Sequence, residues 1–354
     1  MAELQKQRNA RPVARRKKGR DVSGWLVLDK PQGLSSTALV NQVKRLYDAK
    51  KAGHGGTLDP LATGLLPIAL GEATKTLPFI TEAEKGYCFT LAWGIATDSD
   101  DAEGEIIARS AVRPDPAQVA ARLAAYRGWI WQRPPAYSAI KVKGERAYDL
   151  ARAGRLPDLP ARQVFIETAL LEDCTSETAR IRIRCGKGFY VRALARDLAQ
   201  DLGSYAHVTA LRRTKVGTFD ETHAISLSFL EESAQEKQED AQLLPLSAVL
   251  DDIPALALED EEAARFRTGQ AVTLLRRSLW SQLEALQPSP PQSELSKFEP
   301  SKSEPLESGR PDSGDLIPNR PLLVTANGQE LGLAQLQGGR LQPVRLFNLP
   351  LSGR

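Results

Sequence analysis

The sequence predicts an α+β fold, and three observations predict it. Tyr87, Phe89, Leu91, Trp93 and Ile95 alternate with small or polar neighbours, the period of two that marks a strand buried on one face. Residues 164–171 and 179–185 read as two further strands, close enough in sequence to pair as a hairpin. Helical spacing appears only in isolated segments between strands, and no βαβ unit repeats. A mixed, mainly antiparallel sheet is therefore favoured over a doubly wound one.

The elements follow in chain order. Residues 1–20, with Arg15, Arg16, Lys17 and Lys18, are polar and unpatterned and read as a disordered basic arm. Trp25, Leu26, Val27 and Leu28 form a short apolar run ended by Lys30-Pro31-Gln32-Gly33, a strand followed by a turn. Ser35, Ser36 and Thr37 precede Leu39, Val40, Val43, Leu46 and Tyr47, the spacing of an amphipathic helix with a hydroxyl cap. Residues 53–64, with four glycines and a proline, read as a loop, and 65–70 as an apolar strand. Residues 98–104 (DSDDAEG) make an acidic turn before Ile106 and Ile107. Residues 115–126 read as a helix with Pro116 in its first turn, and 191–202 as a helix stopped by Gly203.

Residues 287–321 hold eight of the 23 prolines, set among serines and glutamates. Such a stretch buries too little apolar surface to offset chain entropy, so a disordered insertion is expected. The runs 322–324, 331–334 and 343–346 look like short strands. Three of them do not make a stable unit, so pairing with residues 263–275 across the insertion is expected. The organisation read from the chain is an arm (1–20), a first domain (21–235) and a second (236–354) interrupted at 287–321.

Composition excludes several function classes. Apolar runs reach about half a dozen residues, against the ~20 of a membrane-spanning helix. Residues 1–20 lack the apolar centre of a secretory signal, so a cytoplasmic location is expected. Three cysteines (Cys88, Cys174, Cys185) and three histidines (His54, His207, His223) lie scattered without metal-ligand spacing, so neither a disulfide framework nor a metal site is expected. The net charge of +3 hides a polarity: the first 20 residues hold eight Lys/Arg against one Glu, while residues 220–315 hold 8 basic and 20 acidic residues. That asymmetry fits a polyanionic partner met by the N-terminal part, and equally an enzyme with a charged surface.

Three clusters offer chemistry. In Lys51–Gly64 (KAGHGGTLDPLATG) the order of a phosphate loop is absent, and no GxSxG elbow occurs anywhere. What the cluster presents is one carboxylate, Asp59, fixed by Pro60; it either caps an Asp-Pro turn or reacts. In residues 180–192 (RIRIRCGKGFYVR), arginines alternate with isoleucines and a Gly-Lys-Gly turn leads into Phe189, Tyr190 and Arg192. Cations beside aromatics suit a nucleic acid, and a solvated strand face accounts for them as well. Residues 207–215 (HVTALRRTK) add basic charge, as RNA contacts or as an edge strand protected by its cations.

These clusters, in this order, resemble the TruB family, the tRNA pseudouridine-55 synthases. The resemblance rests on residues 24–33 (GWLVLDKPQG), 51–75 (KAGHGGTLDPLATGLLPIALGEATK), 85–87, 97–105 (TDSDDAEGE), 135–143 (PAYSAIKVK), 187–192 (KGFYVR) and 206–213, and runs from about residue 23 to 227. The wording of residues 60–67 (PLATGLLP) is similar to the stand-alone bacterial branch, not to the dyskerin-like enzymes that need a guide RNA. Gly55 departs from the pattern, standing where the family has Thr or Ser, which is expected to loosen that loop.

The resemblance implies a pseudouridine synthase catalytic domain and a small β-rich, PUA-like RNA-binding C-terminal domain. It implies isomerisation of uridine-55 in the T-loop of tRNA, by base flipping and Asp-dependent rearrangement of the glycosidic bond, on a monomer with no cofactor, guide RNA or partner protein. Asp59 takes the place of the family's catalytic carboxylate, and Arg192 that of its arginine partner, which is expected to hold the Asp59 pKa down. Tyr87 and Tyr190 match the tyrosines that sandwich the flipped base, and Leu211 an apolar wall of the pocket. His54 matches the histidine that fills the vacated space, and Lys30 a substrate-binding lysine. A catalytically inactive tRNA-binding or RNA-folding protein of the same fold is the alternative. A hydrolase built on His54 and Asp59 is a remote third, for want of a nucleophile motif.

Overall fold

Strands buried on both faces open the structure. A computed structural model describes residues 19–142, 144–273 and 321–350. Here β1 (Gly24–Lys30) is followed by α1 (Ser36–Leu46), capped by the Ser35 hydroxyl, which accepts from the Ala38 amide. Then come β2 (Ala52–His54) and β3 (Thr63–Leu70), which pairs antiparallel with both β1 and β2. Trp25, Val27, Leu65 and Ala69 enter one apolar cluster, while Leu26, Leu28, Leu66, Ile68 and Leu70 pack with Leu39, Val43 and Tyr47 in another. Two buried faces leave no polar positions to alternate, so these strands read as unbroken apolar runs.

α2 (Leu77–Glu82) leads into β4 (Lys85–Trp93), and the hairpin β5 (Ile95–Thr97) and β6 (Ile106–Arg109) brackets the acidic turn. α3 (Pro116–Ala124) carries a capping box between Asp115 and Gln118. Next come β7 (Gly128–Gln132), the small hairpin β8 (Lys141–Val142) and β9 (Glu145–Arg146), and α4 (Ala147–Arg152). β10 (Arg162–Cys174) and β11 (Thr178–Cys185) form the expected hairpin, and α5 (Val191–Asp201) the expected helix. β12 (Ala206–Val216), β13 (Phe219–Asp220), β14 (Ile225–Ser226) and α6 (Leu227–Gln235) complete this part.

The main sheet runs β14-β1-β3-β12-β4-β11-β10-β7, with β2 beside β3 and β13 beside β12. Only β14–β1 and β3–β12 are parallel, so the sheet is mixed and mainly antiparallel, as expected. α3 and α5 cover one face, where Phe89, Leu91, Trp93, Ile181, Ile183, Leu194 and Leu198 share a core. β12 corrects one of the alternatives: it lies between β3 and β4, inside the sheet, so its basic residues do not guard an edge. Arg212 pairs with Asp29 and Glu221, and Arg213 is fully buried.

The arginine row of β11 needs a second correction. Tyr87 stands opposite Ile183 across β4 and β11, and Cys88 opposite Arg182. The isoleucines therefore share the helix-covered face with Tyr87, and Arg180, Arg182 and Arg184 point to the other side of the sheet. There Glu172 pairs with Arg180 and Arg182, and Glu84 lies 4.0 Å from Arg184. The row and the Tyr190 aromatic do not form one surface.

A second sheet, β15 (Ala255–Ala257), β16 (Val272–Thr273), β17 (Leu322–Ala326), β18 (Gln329–Gln337) and β19 (Arg340–Leu346), has the order β15-β17-β18-β19-β16. It is the small β-rich C-terminal domain expected. Among the described residues of 263–275, β16 alone pairs with these strands; the stretch before it is α7 (Asp260–Arg267), and β15 supplies the remaining strand. Leu323, Leu333 and Phe347 pack with Trp25, Phe219 and Leu246, which joins the two sheets. The arm through residue 18 and insertion residues 287–320 lie outside the described residues. Arg20 is placed, ion-paired with Glu239 and Asp240. No helix among the described residues is long and apolar enough to cross a membrane.

Candidate active site

Asp59 sits on a loop between β2 and β3, and buried side chains hold that loop from below. The Ser36 hydroxyl accepts from the Leu58 amide (2.8 Å) and donates to the Leu58 carbonyl (2.9 Å). Lys30, with no exposed surface, donates from Nζ to the carbonyls of Pro31 (2.9 Å) and Pro60 (3.3 Å). The Gly33 amide donates to the same Pro60 carbonyl, at 2.8 Å. Leu58, Leu61 and Ala62 turn into the core under α5. Held on both flanks, the Asp59 side chain projects upward and stays one-third exposed. Gly55 does not loosen the loop. Its amide donates to the Pro67 carbonyl (2.8 Å), and an added Cβ would lie 2.6 Å from Ile80 Cγ2. A Thr or Ser here needs Ile80 to move.

Arg192, buried in the first turn of α5, meets this carboxylate. Its Nε lies 3.0 Å from Asp59 Oδ2 and its Nη1 3.4 Å from Asp101 Oδ2. The remaining donors go to the carbonyls of Ser99 and Tyr137, both at 2.8 Å. One guanidinium therefore joins the Asp59 loop, the acidic turn, the 133–138 segment and α5. Asp101 is a site residue that the reading of the acidic turn missed. It is buried because β12 pulls the turn inward: the Val208 amide donates to the Asp100 carbonyl and the Ala102 amide to the Val208 carbonyl. The available signal was the TDSDDAEGE stretch within the family resemblance.

The charge balance at Asp59 reverses the expectation that Arg192 holds its pKa down. Burial pushes the carboxyl above the ordinary aspartate range, Arg192 pulls it back, and the neighbouring Asp101 pushes it up again. The net direction is upward. Lys30 is lowered to about 8, because desolvation outweighs the attraction of Asp59. If Asp59 reacts as its anion, turnover falls as pH drops through this raised pKa. The acid limb of the single-turnover rate should then lie above the ordinary carboxyl midpoint of about 4. A midpoint at or below that value would mean that Arg192 dominates after all.

The other sequence-predicted residues gather unevenly around this pair. Tyr87, on β4, is half-buried against the cluster that contains Leu58, Leu61 and Leu211, and the charge of Asp59 bears on its hydroxyl. Leu211, on β12, stands opposite Phe89. His54 ends β2, and its pKa is lowered by burial and by Arg213, which keeps the ring neutral. Tyr190 is the N-cap residue of α5. The buried Gln132 side chain donates to its carbonyl (3.1 Å) and accepts from its amide (2.8 Å), and the Arg162 guanidinium lies 5.0 Å from its ring centroid. Lys30 lies beneath the loop and not on an open surface.

The buried Arg192 thus holds one partly exposed carboxylate, Asp59, in place. A family model described as TruB family pseudouridylate synthase, N-terminal domain, matches residues 44–191. A second, described as tRNA pseudouridylate synthase B C-terminal domain, matches residues 192–253. The tRNA pseudouridine synthase B of Caulobacter vibrioides is 47% identical over 339 residues, covering 95% of this chain and 100% of that protein. The chain belongs to the TruB family.

The tRNA pseudouridine synthase B of Gluconacetobacter diazotrophicus is 55% identical over 263 residues, 74% of this chain and 86% of its own. Among solved structures, a Cbf5–Nop10–Gar1 complex and an H/ACA RNP bound to a substrate RNA containing 2′-deoxyuridine each give a TM-score of 0.61, covering 92% of this chain and 85% of theirs. At 20% and 18% identity they speak for the fold alone. Both TruB family matches meet between Val191 and Arg192, where the first turn of α5 enters the site.

Proposed function

We propose that this TruB family protein isomerises uridine-55 in the T-loop of tRNA to pseudouridine. The observation that carries the reading is the 3.0 Å pair of Arg192 with Asp59, a single carboxylate presented on a clamped loop. The reaction breaks the N1–C1′ bond, turns the uracil and joins C5 to C1′; the C5 proton leaves and N1 takes one up. No atom is gained or lost otherwise, so the chemistry calls for no cofactor. Asp59 acts as the nucleophile or as the anion facing positive charge at C1′, and Arg192 orients it.

The base must leave its stack, which costs a few kcal/mol, and aromatic stacking at ~1–3 kcal/mol per base offsets this. Tyr87 and Tyr190 supply the rings, Leu211 the apolar wall, and His54 fills the vacated space as a neutral group. Lys30 acts through the loop and through its charge on Asp59. tRNA is the only partner in this reading; the enzyme works as a monomer in the cytoplasm, without a guide RNA.

Release of tritium from tRNA labelled at uridine C5 tests the activity, and pseudouridine mapping tests the position. Loss of label from a site other than 55 overturns the positional part. The stacking role of Tyr190 has its own test. Tyr190→Phe should keep most of the rate, while Tyr190→Leu should lose stacking of ~1–3 kcal/mol, roughly five- to 150-fold in turnover. Equal rates for the two variants would contradict the sandwich.

A further inference from the structure

Arg213 is among the largest fully buried side chains of the protein, at 1% exposure, and no part of the mechanism above uses it. Its guanidinium has no carboxylate partner among the described residues; its hydrogen bonds go to main-chain carbonyls. Nε donates to the Leu65 carbonyl (2.8 Å) and Nη2 to the Gly56 carbonyl (3.1 Å). Those carbonyls stand at the two ends of the loop that carries Asp59. Tyr87 faces Arg213 in register across β4 and β12, and the two side chains bear on each other electrostatically.

The backbone of Arg213 is seated as closely as its side chain. Arg213 pairs with Gly64 in the short parallel contact between β12 and β3. Gly64 has φ +95°, and a Cβ there would lie 2.2 Å from the Arg213 carbonyl oxygen, so only glycine allows this approach. Gly56, at φ +125°, leaves room for the guanidinium, 3.4 Å from where its Cβ would be. An arginine suits this place because its planar fork reaches both carbonyls in fixed directions, which a lysine ammonium does not.

We propose that Arg213 is a positioning residue for the reaction: it closes both ends of the Asp59 loop and ties that loop to Tyr87, so that it sets the gap between the carboxylate and the ring that receives the base. This rests on the roles proposed for Asp59 and Tyr87. A buried cation used in this way touches no substrate. Its loss should therefore alter the chemical step and leave tRNA docking alone.

The experiment compares wild type, Arg213→Lys, Tyr87→Phe and the double variant by tritium release, with kcat and KM resolved. Arg213→Lys keeps the charge and should lower kcat by about a hundredfold, the cost of misplacing a reacting group by ~1 Å, with KM for tRNA within about threefold. In the Tyr87→Phe background the same change should cost at least several-fold less, since the proposed tie to Tyr87 is already gone. The proposal is overturned by a kcat within about threefold of wild type, by a KM that absorbs the whole effect, or by equal losses in both backgrounds. Should the lysine variant not fold, Tyr87→Phe alone decides, since an unchanged kcat there removes the tie. Absence of tritium release from the wild-type protein would instead defeat the functional reading, which keeps the two failures apart.

Discussion

Replacing Asp59 by asparagine is expected to abolish pseudouridine formation, lowering turnover by at least ~10³-fold, while tRNA affinity stays within a few-fold. Asparagine keeps the shape of the side chain on a loop already fixed by Ser36, Lys30 and Arg213, so docking has no reason to change. The stability effect has a definite sign. The folded-state pKa of Asp59 is raised, so at neutral pH its ionised form subtracts from stability, and the penalty disappears as pH falls through that pKa. The asparagine variant should melt no lower than wild type at pH 7, with the difference fading in acid. A variant that retains more than about a thousandth of the rate would remove Asp59 from its role, and a marked fall in melting temperature would show the carboxylate to be structural.

What the residues showed depended on how locally each decision is made. Strand period gave β10 and β11 because one face of each is exposed, and β4 because its second face carries the small or polar Gly86, Cys88, Thr90 and Ala92, so the alternation survives in the sequence. β7 was missed because Trp129, Ile130 and Trp131 are all large and apolar: both tryptophans point outward at the free edge of the sheet, so no period of two appears. The period also placed Arg180, Arg182 and Arg184 on one face. It does not say which face of the finished sheet holds the site, because that is fixed by the register of β11 on β4, a contact across about a hundred residues.

The site was legible in a similarly uneven way. Physical chemistry alone left Asp59 as either a turn cap or a reactive group, and the family resemblance selected it. Arg192 was found the same way. The pKa direction was wrong because a pair read from sequence shows the attraction and conceals the desolvation, and because Asp101 was not yet in the count. Arg213 looked like a surface cation, since nothing local distinguishes a buried arginine from an exposed one. Its burial follows from β12 lying between β3 and β4, which the basic composition of residues 207–215 argued against.

Arg192 should give the second large effect, and here chemistry and stability can be separated. Arg192→Met removes the shared cation from the buried Asp101 and the one-third-exposed Asp59 and leaves both without it. Breaking such an arrangement costs about 3–5 kcal/mol, because the remaining charges lose their counter-ion. Without the downward pull of Arg192 the Asp59 carboxyl is pushed further up, so the loss of stability is greatest at neutral pH and shrinks in acid. Turnover should fall by several orders of magnitude, since Asp59 is then misplaced and its carboxyl pushed further up. Arg192→Lys should fall between the two, keeping a charge without the fork that meets both carboxylates and the carbonyls of Ser99 and Tyr137. Adding Asp101→Asn to Arg192→Met removes one of the facing charges, so the melting temperature should recover in part while tritium release stays absent. Recovery of activity along with stability would show that Arg192 serves the fold alone, and that the orientation of Asp59 does not depend on it.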